Sequence, residues 1–267
     1  MAKKKKADLC EANSGKVFRR IEKKYLITDE QKEKFLKICK KNLKKNKYFE
    51  STVCSIYFDT KDNDLIIKQI DKPVDKPDFK EKVRVRSYNV PEDEDYIFFE
   101  IKTKHREGKD KIGDKRRFQL LLSDYYDWLD EKRSLIKIAE AKIEKTNDVQ
   151  IAREIEYIIN YLNLSPKIFI ACERQSYEGK DDSSLRVTID QNLRYRTEDL
   201  DLKHGAEGKN FFNDEKNTIL EIKTARGMPF WLVHALNELR IFPQPFSKYG
   251  KIYQQMKGEN INVQYYL

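Results

Sequence analysis

Basic side chains recur at alternate positions in several segments whose remaining positions are largely apolar. Arg84 and Arg86 flank Val85, and Lys115 and Arg117 are likewise separated by one residue. Because alternate residues of a β-strand point to the same side, each pair would present both charges on one face. Guanidinium forks and ammonium groups are well suited to binding phosphate oxygens. The spacing therefore predicts a phosphate-binding face built from side chains.

Glutamate alternates with lysine in three further segments. The pairs are Glu22 with Lys24, Glu100 with Lys102, and Glu221 with Lys223. A carboxylate in such a face can bind a divalent metal or pair with a neighbouring cation, and both interpretations are open for Glu22 and Glu100. Arg174 follows an apolar segment, and Arg186 shares a strand face with Thr188, so two more strands add to the same pattern.

Glycine, cysteine and histidine are too few or too scattered for several common sites. The nine glycines form no GxG sequence, which excludes a Walker loop and a dinucleotide-binding fingerprint. The four cysteines have no CxxC spacing and the three histidines no HExxH spacing, so neither a zinc site nor a disulfide framework is predicted. No apolar segment approaches the roughly 18 residues of a membrane helix.

The composition predicts a folded, basic protein. Lys and Arg number 54 against 45 Asp and Glu, giving a formal net charge of +9, and 39% of the residues are hydrophobic. Residues 1–16 are predicted to form a disordered basic tail, and residues 17–267 a single domain. The N-terminus has no apolar region of the kind found in signal peptides, so we expect a cytoplasmic protein.

Sequence periodicity predicts about eight strands and five helices. Thr28 and Gln31 have the spacing of a capping box at the start of the first helix. Ser123 is expected to cap a helix that continues to residue 143, and Ser247 to cap the last helix. The predicted strands cover residues 19–27, 51–60, 80–88, 96–104, 115–122, 167–178, 183–196 and 217–225.

The charged strand faces could lie in solvent, as in an ordinary antiparallel sheet, or could line an interior. The helices carry apolar residues, including Phe35, Trp128, Ile155 and Trp231, that can cover the apolar strand faces from outside. We therefore predict an α+β fold: a mostly antiparallel eight-stranded closed β-barrel, with helices packed around the outside. Because unpaired buried ions are costly, its charged interior would need water and a polyanion.

The order of several short motifs resembles the VTC domain of the triphosphate tunnel metalloenzyme (CYTH-like) superfamily. The motifs, between about residues 19 and 253, are RIEKKYLI, IYFDT, VRVRSY, FFEIKTK, KRR, ERQSY, LRVTID, LEIKT and FSKY. VTC domains are the catalytic modules of vacuolar transporter chaperone polyphosphate polymerases. The resemblance implies a tunnel that binds ATP phosphates and a growing polyphosphate chain, with Mn²⁺ or Mg²⁺ as the cofactor.

The resemblance also implies roles for particular residues. The implied catalytic residues are Lys24, Arg84, Arg86, Lys102 and Lys223. The implied phosphate-binding residues are Lys115, Arg117, Arg174, Arg186, Ser247 and Lys248. Glu221 and Glu22 are the implied metal ligands. Ser247, as the cap of the last helix, would also direct free backbone amides towards an anion.

The activity that the resemblance implies is transfer of the terminal phosphoryl group of ATP to polyphosphate. Hydrolase members of the superfamily begin with an ExExK strand, whereas Arg20 stands here in place of the first acid. Fewer carboxylates activate water less well, which favours transfer over hydrolysis. A triphosphatase and a non-catalytic polyphosphate-binding module are the alternatives. Nucleic-acid binding is disfavoured because the basic faces are predicted to be enclosed. The resemblance is also compatible with a membrane partner protein, and with either a monomer or an oligomer.

Overall fold

The computed structural model describes residues 21–70, 79–107, 110–141, 146–212, 217–225 and 227–258. The predicted tail, 1–16, and Arg20 lie outside these ranges. The strands are β1 (Ile21–Ile27), β2 (Leu43–Asp59), β3 (Phe79–Tyr88), β4 (Tyr96–Glu107), β5 (Asp110–Leu121), β6 (Ser165–Gly179), β7 (Arg186–Arg196), β8 (Lys209–Asn210) and β9 (Thr218–Thr224). The helices are α1 (Asp29–Cys39), α2 (Asp64–Ile70), α3 (Leu122–Leu129), α4 (Leu135–Glu140), α5 (Thr146–Leu162), α6 (Phe230–Glu238) and α7 (Lys248–Met256). Within the described ranges, no helix has the length and apolar character needed to cross a membrane.

All nine strands belong to one sheet, in the order β1-β9-β7-β6-β2-β3-β4-β5, with β8 paired to β7. Every pairing is antiparallel, which confirms the predicted α+β class and strand direction. Closure of the predicted barrel is not confirmed. β1 and β5 are the two ends of this order, and no backbone pairing joins them in the part of the chain that the structure describes.

The sheet is curled so that its two ends face each other. Five strands separate β1 from β4 in the sheet order. Even so, Glu22 Oε2 of β1 lies 3.9 Å from Lys102 Nζ of β4. A flat sheet would hold these side chains several strand spacings apart, because neighbouring strands are about 4.8 Å from each other. The curl gives the sheet an inner side, and the alternating charged residues lie on it, as predicted.

Two apolar clusters cover the outer side of the sheet. In the first, Phe99 of β4 packs in one cluster with Ile155 of α5. In the second, Leu220 of β9 belongs to a cluster that includes Phe35 of α1 and Leu232 of α6. All five side chains are fully buried. The apolar strand positions therefore face outward and are covered by helices, which is the arrangement that the sequence predicts.

Helix α7 departs from the predicted arrangement because it packs on the inner side. Its residues Ile252 and Tyr253 are buried in a cluster with Tyr57 of β2 and with Ile168 and Ile170 of β6. The prediction that the helices lie around the outside is therefore wrong for α7. The physical reason is that these inner positions of β6 are apolar, and they bury the apolar face of α7.

Capping side chains mark the starts of α1, α4 and α7. Thr28 forms the predicted capping box at α1, and Ser247 caps α7 as predicted. The single helix predicted after Ser123 is instead two helices. Residue 121 precedes α3 without a side-chain cap, and the chain turns at Glu131, whose φ is 58°. Ser134 then caps α4. This cap lies inside the segment that the periodicity predicts as one helix.

Candidate functional site

Within the described ranges, ten basic side chains and four carboxylates form one group on the inner side of the sheet, which we call the basic inner face. Its basic residues are Lys24, Lys82, Arg84, Arg86, Lys102, Lys115, Arg117, Arg174, Lys223 and Lys248, and its carboxylates are Glu22, Glu100, Asp190 and Glu221. Seven strands and α7 contribute these residues. Such an excess of positive charge, held in one concave surface, attracts a polyanion.

Glu100 lies at the centre of one charged cluster. Its side chain is only 1% exposed, with Arg84 Nε at 2.6 Å and Lys115 Nζ at 2.5 Å. Arg117 Nη1 is 4.0 Å from the same carboxylate. Burial opposes ionisation of Glu100, but Arg84, Arg86 and Lys115 outweigh it and hold the pKa well below its usual range. Glu100 is therefore a charge partner of the surrounding cations.

Glu22 and Glu221 lie together between two lysines. Lys24 Nζ is 3.2 Å from a Glu22 oxygen and 3.6 Å from a Glu221 oxygen. Lys223 Nζ is 3.8 Å from Glu22 and 2.5 Å from Glu221. Burial acts to raise the pKa of each carboxyl, but the nearby cations more than offset it, so both pKa values are lowered. Both groups are therefore ionised at neutral pH.

The chemistry of this carboxylate pair fits a divalent cation. Mg²⁺ is commonly held by one or two carboxylates, with the substrate phosphates supplying further oxygens. Glu22 and Glu221 provide two ionised carboxylates on neighbouring strands, and their side chains share the same lysines. The described residues contain no group of three or more His, Cys, Asp or Glu side chains that could hold a metal alone. A metal at this pair would thus need oxygens from a ligand.

Asp190 joins two strands and α7. It is 2% exposed, and its two oxygens accept bonds from Arg174 Nε at 2.6 Å and Nη2 at 2.7 Å. Lys248 Nζ donates to the same carboxylate at 2.5 Å. Although burial favours the neutral acid, Arg174 and Lys248 hold the pKa of Asp190 far below its usual range. Sequence reasoning missed Asp190, although it follows Arg186 and Thr188 at alternate positions.

Lys82 is a second member of the face that sequence reasoning missed. It precedes Arg84 by two residues on β3, so the basic alternation extends further towards the start of the strand than predicted. Its Nζ donates to Ser247 Oγ at 2.8 Å, and it has no ion pair with any carboxylate in the described ranges. Burial, aided by Lys24, Lys102 and Arg84, lowers the pKa of Lys82 to about 7.

Tyr57 lies beside the arginines of β3. Its hydroxyl accepts a bond from Arg84 Nη1 at 2.9 Å, while Arg86 Nε donates to Ser55 Oγ at 3.1 Å. Burial acts to raise the pKa of Tyr57, but Arg84, Arg86 and Lys82 lower it to about 7. The phenol can therefore lose its proton near neutral pH, which would add a negative charge next to Arg84.

The structure brings most of the predicted site residues together, with one exception. Twelve of the thirteen lie on or beside the basic inner face, including Ser247, which contacts Lys82. Arg186 is on the inner side of β7 but is exposed, directly opposite Lys223 in the β7–β9 pairing. It therefore lies at the end of the face, away from the buried Arg174–Asp190 pair.

The sequence matches a known protein family over most of its length. The family profile described as the VTC domain matches residues 19–257. The chain belongs to the VTC domain family. The match covers most of the sequence and nearly all the described residues, so this VTC domain includes every strand and helix of the fold.

The individual proteins that the chain resembles share less than a third of its residues over the matched region. Two proteins named vacuolar transporter chaperone complex subunit 4, from Trypanosoma brucei brucei and Trypanosoma cruzi, are each 28% identical over 169 residues, or 58% of this chain. The match covers 21% of each relative, so the chain spans about a fifth of their length. An X-ray structure of a proposed adenylate cyclase from Vibrio parahaemolyticus is similar with a TM-score of 0.42 at 8% identity, covering 88% of this chain and 97% of that one.

Proposed function

We propose that this VTC domain is a metal-dependent polyphosphate polymerase, which transfers the terminal phosphoryl group of ATP to a growing polyphosphate chain. The observation that carries the proposal is the excess of ten basic side chains over four carboxylates on the basic inner face. Successive phosphates of one chain would neutralise cations contributed by successive strands. The contact between Glu22 of β1 and Lys102 of β4 supports an enclosed bore, in which the two ends of the curled sheet surround the polyphosphate.

Phosphoryl transfer depends mainly on positioning the phosphates and on neutralising their charge. Arg84, Arg86 and Lys102 would bind the phosphoryl group that is transferred. Lys24 and Lys223 would neutralise the adjoining phosphates. Arg86 is well suited to this role because it has no ion pair with a carboxylate in the described ranges. Its guanidinium can therefore bind an anion without first breaking a salt bridge.

A second group of residues would hold the rest of the polyanion. These are Lys115, Arg117, Arg174, Arg186, Ser247 and Lys248, together with Lys82. Arg174 and Lys248 already share Asp190, so each would bind phosphate with part of its charge neutralised. Lys115 is more accessible, with 39% of its side chain exposed. The more exposed members would bind the more distant phosphates of the chain.

Glu22 and Glu221 would hold Mn²⁺ or Mg²⁺, which when bound would neutralise charge on the phosphates that coordinate it. Lys24 and Lys223 would have to turn from the carboxylates towards the phosphates, which is within the reach of flexible lysine side chains. The four carboxylates of the face all contact basic groups. None is therefore well placed to activate water, which supports transfer over hydrolysis.

Incubation with ATP and Mn²⁺, followed by gel analysis of the products, tests the proposal. We expect a ladder of polyphosphate chains that is lost when EDTA is added and in the Glu221→Gln variant. Glu30→Gln, a change at an exposed helix position, is the matched control and should retain the ladder. Orthophosphate without a ladder would indicate a triphosphatase. Binding of polyphosphate without any turnover would indicate a non-catalytic module.

We also infer that the domain works in the cytoplasm and attaches to a membrane through a partner protein. The support for a partner is the name of the two trypanosomal relatives, which describes them as subunits of a complex. Fractionation of cells that produce the tagged chain should then recover part of it with membranes. High-salt washing should release it, because it would be held by another protein.

A further inference from the structure

A second concentration of positive charge lies outside the basic inner face. Residues 40–47, which run from the end of α1 into β2, form the basic arm. Its five lysines are all exposed: Lys40, Lys41, Lys44, Lys45 and Lys47. Lys44 pairs with Glu178 at 3.3 Å, whereas Lys40 and Lys41 form no ion pair in the described part of the chain. Five like charges so close together repel one another, and an anion bound there would relieve that repulsion.

One row of residues joins the basic arm to the basic inner face. Lys44 lies directly opposite Glu178, and Glu178 directly opposite Arg186. Arg186 lies opposite Lys223, which in turn lies opposite Glu22. Directly opposed residues of antiparallel strands point to the same side of a sheet. The row therefore forms a continuous line of charged residues across the sheet, and Arg186 lies at its middle.

The distance along this row separates long ligands from short ones. Three strand spacings lie between Lys44 and Lys223, which amounts to about 14 Å. A triphosphate bound among the lysines of β1 and β9 is too short to reach the basic arm as well. A long polyphosphate chain can contact both regions, with Arg186 between them.

We propose that the basic arm binds the part of a polyphosphate chain that extends beyond the basic inner face. This inference rests on the proposed function, because it takes the inner face to bind polyphosphate. Once one part of a chain is held there, the remainder is at a high effective concentration near the arm. Affinity should therefore increase with chain length. The arrangement also gives the exposed Arg186 a role, as the cation that bridges the two regions.

The arm is better suited to an inorganic polyanion than to single-stranded nucleic acid. Binding of single strands generally uses aromatic rings on which bases can stack. Two rings adjoin the lysines, and each already has a lysine over its face: Lys45 Nζ lies 4.0 Å from the Phe49 ring centroid and Lys47 Nζ lies 5.4 Å from that of Tyr48. Phe49 also packs edge-on against Tyr177 at 5.1 Å between centroids. With both rings in contact with lysines, what the arm offers a ligand is mainly ammonium groups.

A triple variant, Lys40→Gln, Lys41→Gln and Lys44→Gln, tests the role of the arm while leaving the Lys45–Phe49 contact intact. The matched control has the same change of charge at three exposed lysines elsewhere: Lys132→Gln, Lys137→Gln and Lys209→Gln. Calorimetry would measure the affinity of each protein for tripolyphosphate and for long-chain polyphosphate. The parent protein should bind the long chain more tightly. Loss of three exposed contacts should reduce that affinity about tenfold.

The two ligands distinguish the possible results. The arm variant should bind tripolyphosphate as the parent does, and the control variant should match the parent for both ligands. An equal loss in both variants would overturn the role of the arm, as would an unchanged affinity for the long chain. The proposal would also be overturned if the arm variant lost as much affinity for a single-stranded DNA oligonucleotide as for long-chain polyphosphate, because the arm would then bind any polyanion. Failure of the parent to bind tripolyphosphate would instead refute the proposed function.

Discussion

Replacing Asp190 by asparagine should destabilise the fold strongly. Asp190 is 2% exposed and neutralises Arg174 and Lys248, which approach to 2.6 Å and 2.5 Å. Removing one partner from a buried ion pair typically costs 3–5 kcal/mol, since the other charge is left without compensation. The asparagine oxygen can still accept one hydrogen bond, so we expect the lower value, about 3 kcal/mol. For a domain of this size, that corresponds to a fall in Tm of about 10 °C.

Urea unfolding at neutral pH would measure this loss. Glu30→Gln is the control, because Glu30 and Lys34 also approach to 2.6 Å but are 75% and 59% exposed, and its stability should not change measurably. The folded-state pKa of Asp190 is lowered, so its contribution is present at neutral pH and declines below about pH 4, as the unfolded chain takes up protons. Tripolyphosphate should partly restore the stability of the variant, because a bound anion replaces the lost negative charge. An Asp190→Asn protein as stable as the parent would refute this reasoning.

Three further predictions concern separate parts of the fold. Lys82 has a pKa of about 7, so its ammonium form is lost as the pH rises through neutrality. The affinity for tripolyphosphate, measured by calorimetry at about pH 6 and about pH 8, should therefore fall more in the parent than in Lys82→Gln. Ser134→Ala should lower the unfolding free energy by about 1 kcal/mol in urea, whereas Ser123→Ala, which removes no cap, should not. Glu100→Gln should lower stability by about 3 kcal/mol but strengthen tripolyphosphate binding, because it removes a buried negative charge from among three cations. The first expectation would be contradicted if the parent and Lys82→Gln showed the same pH dependence, and the second if the two serine variants were equally stable. The third would be contradicted if Glu100→Gln bound tripolyphosphate more weakly than the parent.

Strand alternation allowed much of the site to be predicted from the sequence. A period of two determines which side chains share a face, so Arg84, Arg86, Lys102 and Glu100 could be grouped before their distances were known. Antiparallel pairing then places these residues of β3 and β4 next to each other. The same rule could have included Lys82, which continues the alternation towards the start of β3.

Other features depend on contacts between distant segments that no local pattern determines. The position of α7 on the inner side follows from the apolar residues at inner positions of β6, which share their face with the charged Arg174. Arg186 and Arg174 both lie on the inner side of their strands, yet Arg186 is exposed and Arg174 is paired with Asp190. Where along a strand the charged interior ends is decided by strand register, which the sequence pattern does not specify.

Ammonium groups make three of the polar contacts that attach the start of α7 to the sheet. Lys248 donates to Asp190, Ser247 accepts from Lys82 at 2.8 Å, and the carbonyl oxygen of Phe246 accepts from Lys24 at 3.3 Å. All three involve ammonium groups that the proposed ligand would also use. Ligand binding and the docking of this helix are therefore thermodynamically linked, and the linkage is reciprocal. A fluorophore placed on this helix should therefore report when the anion arrives.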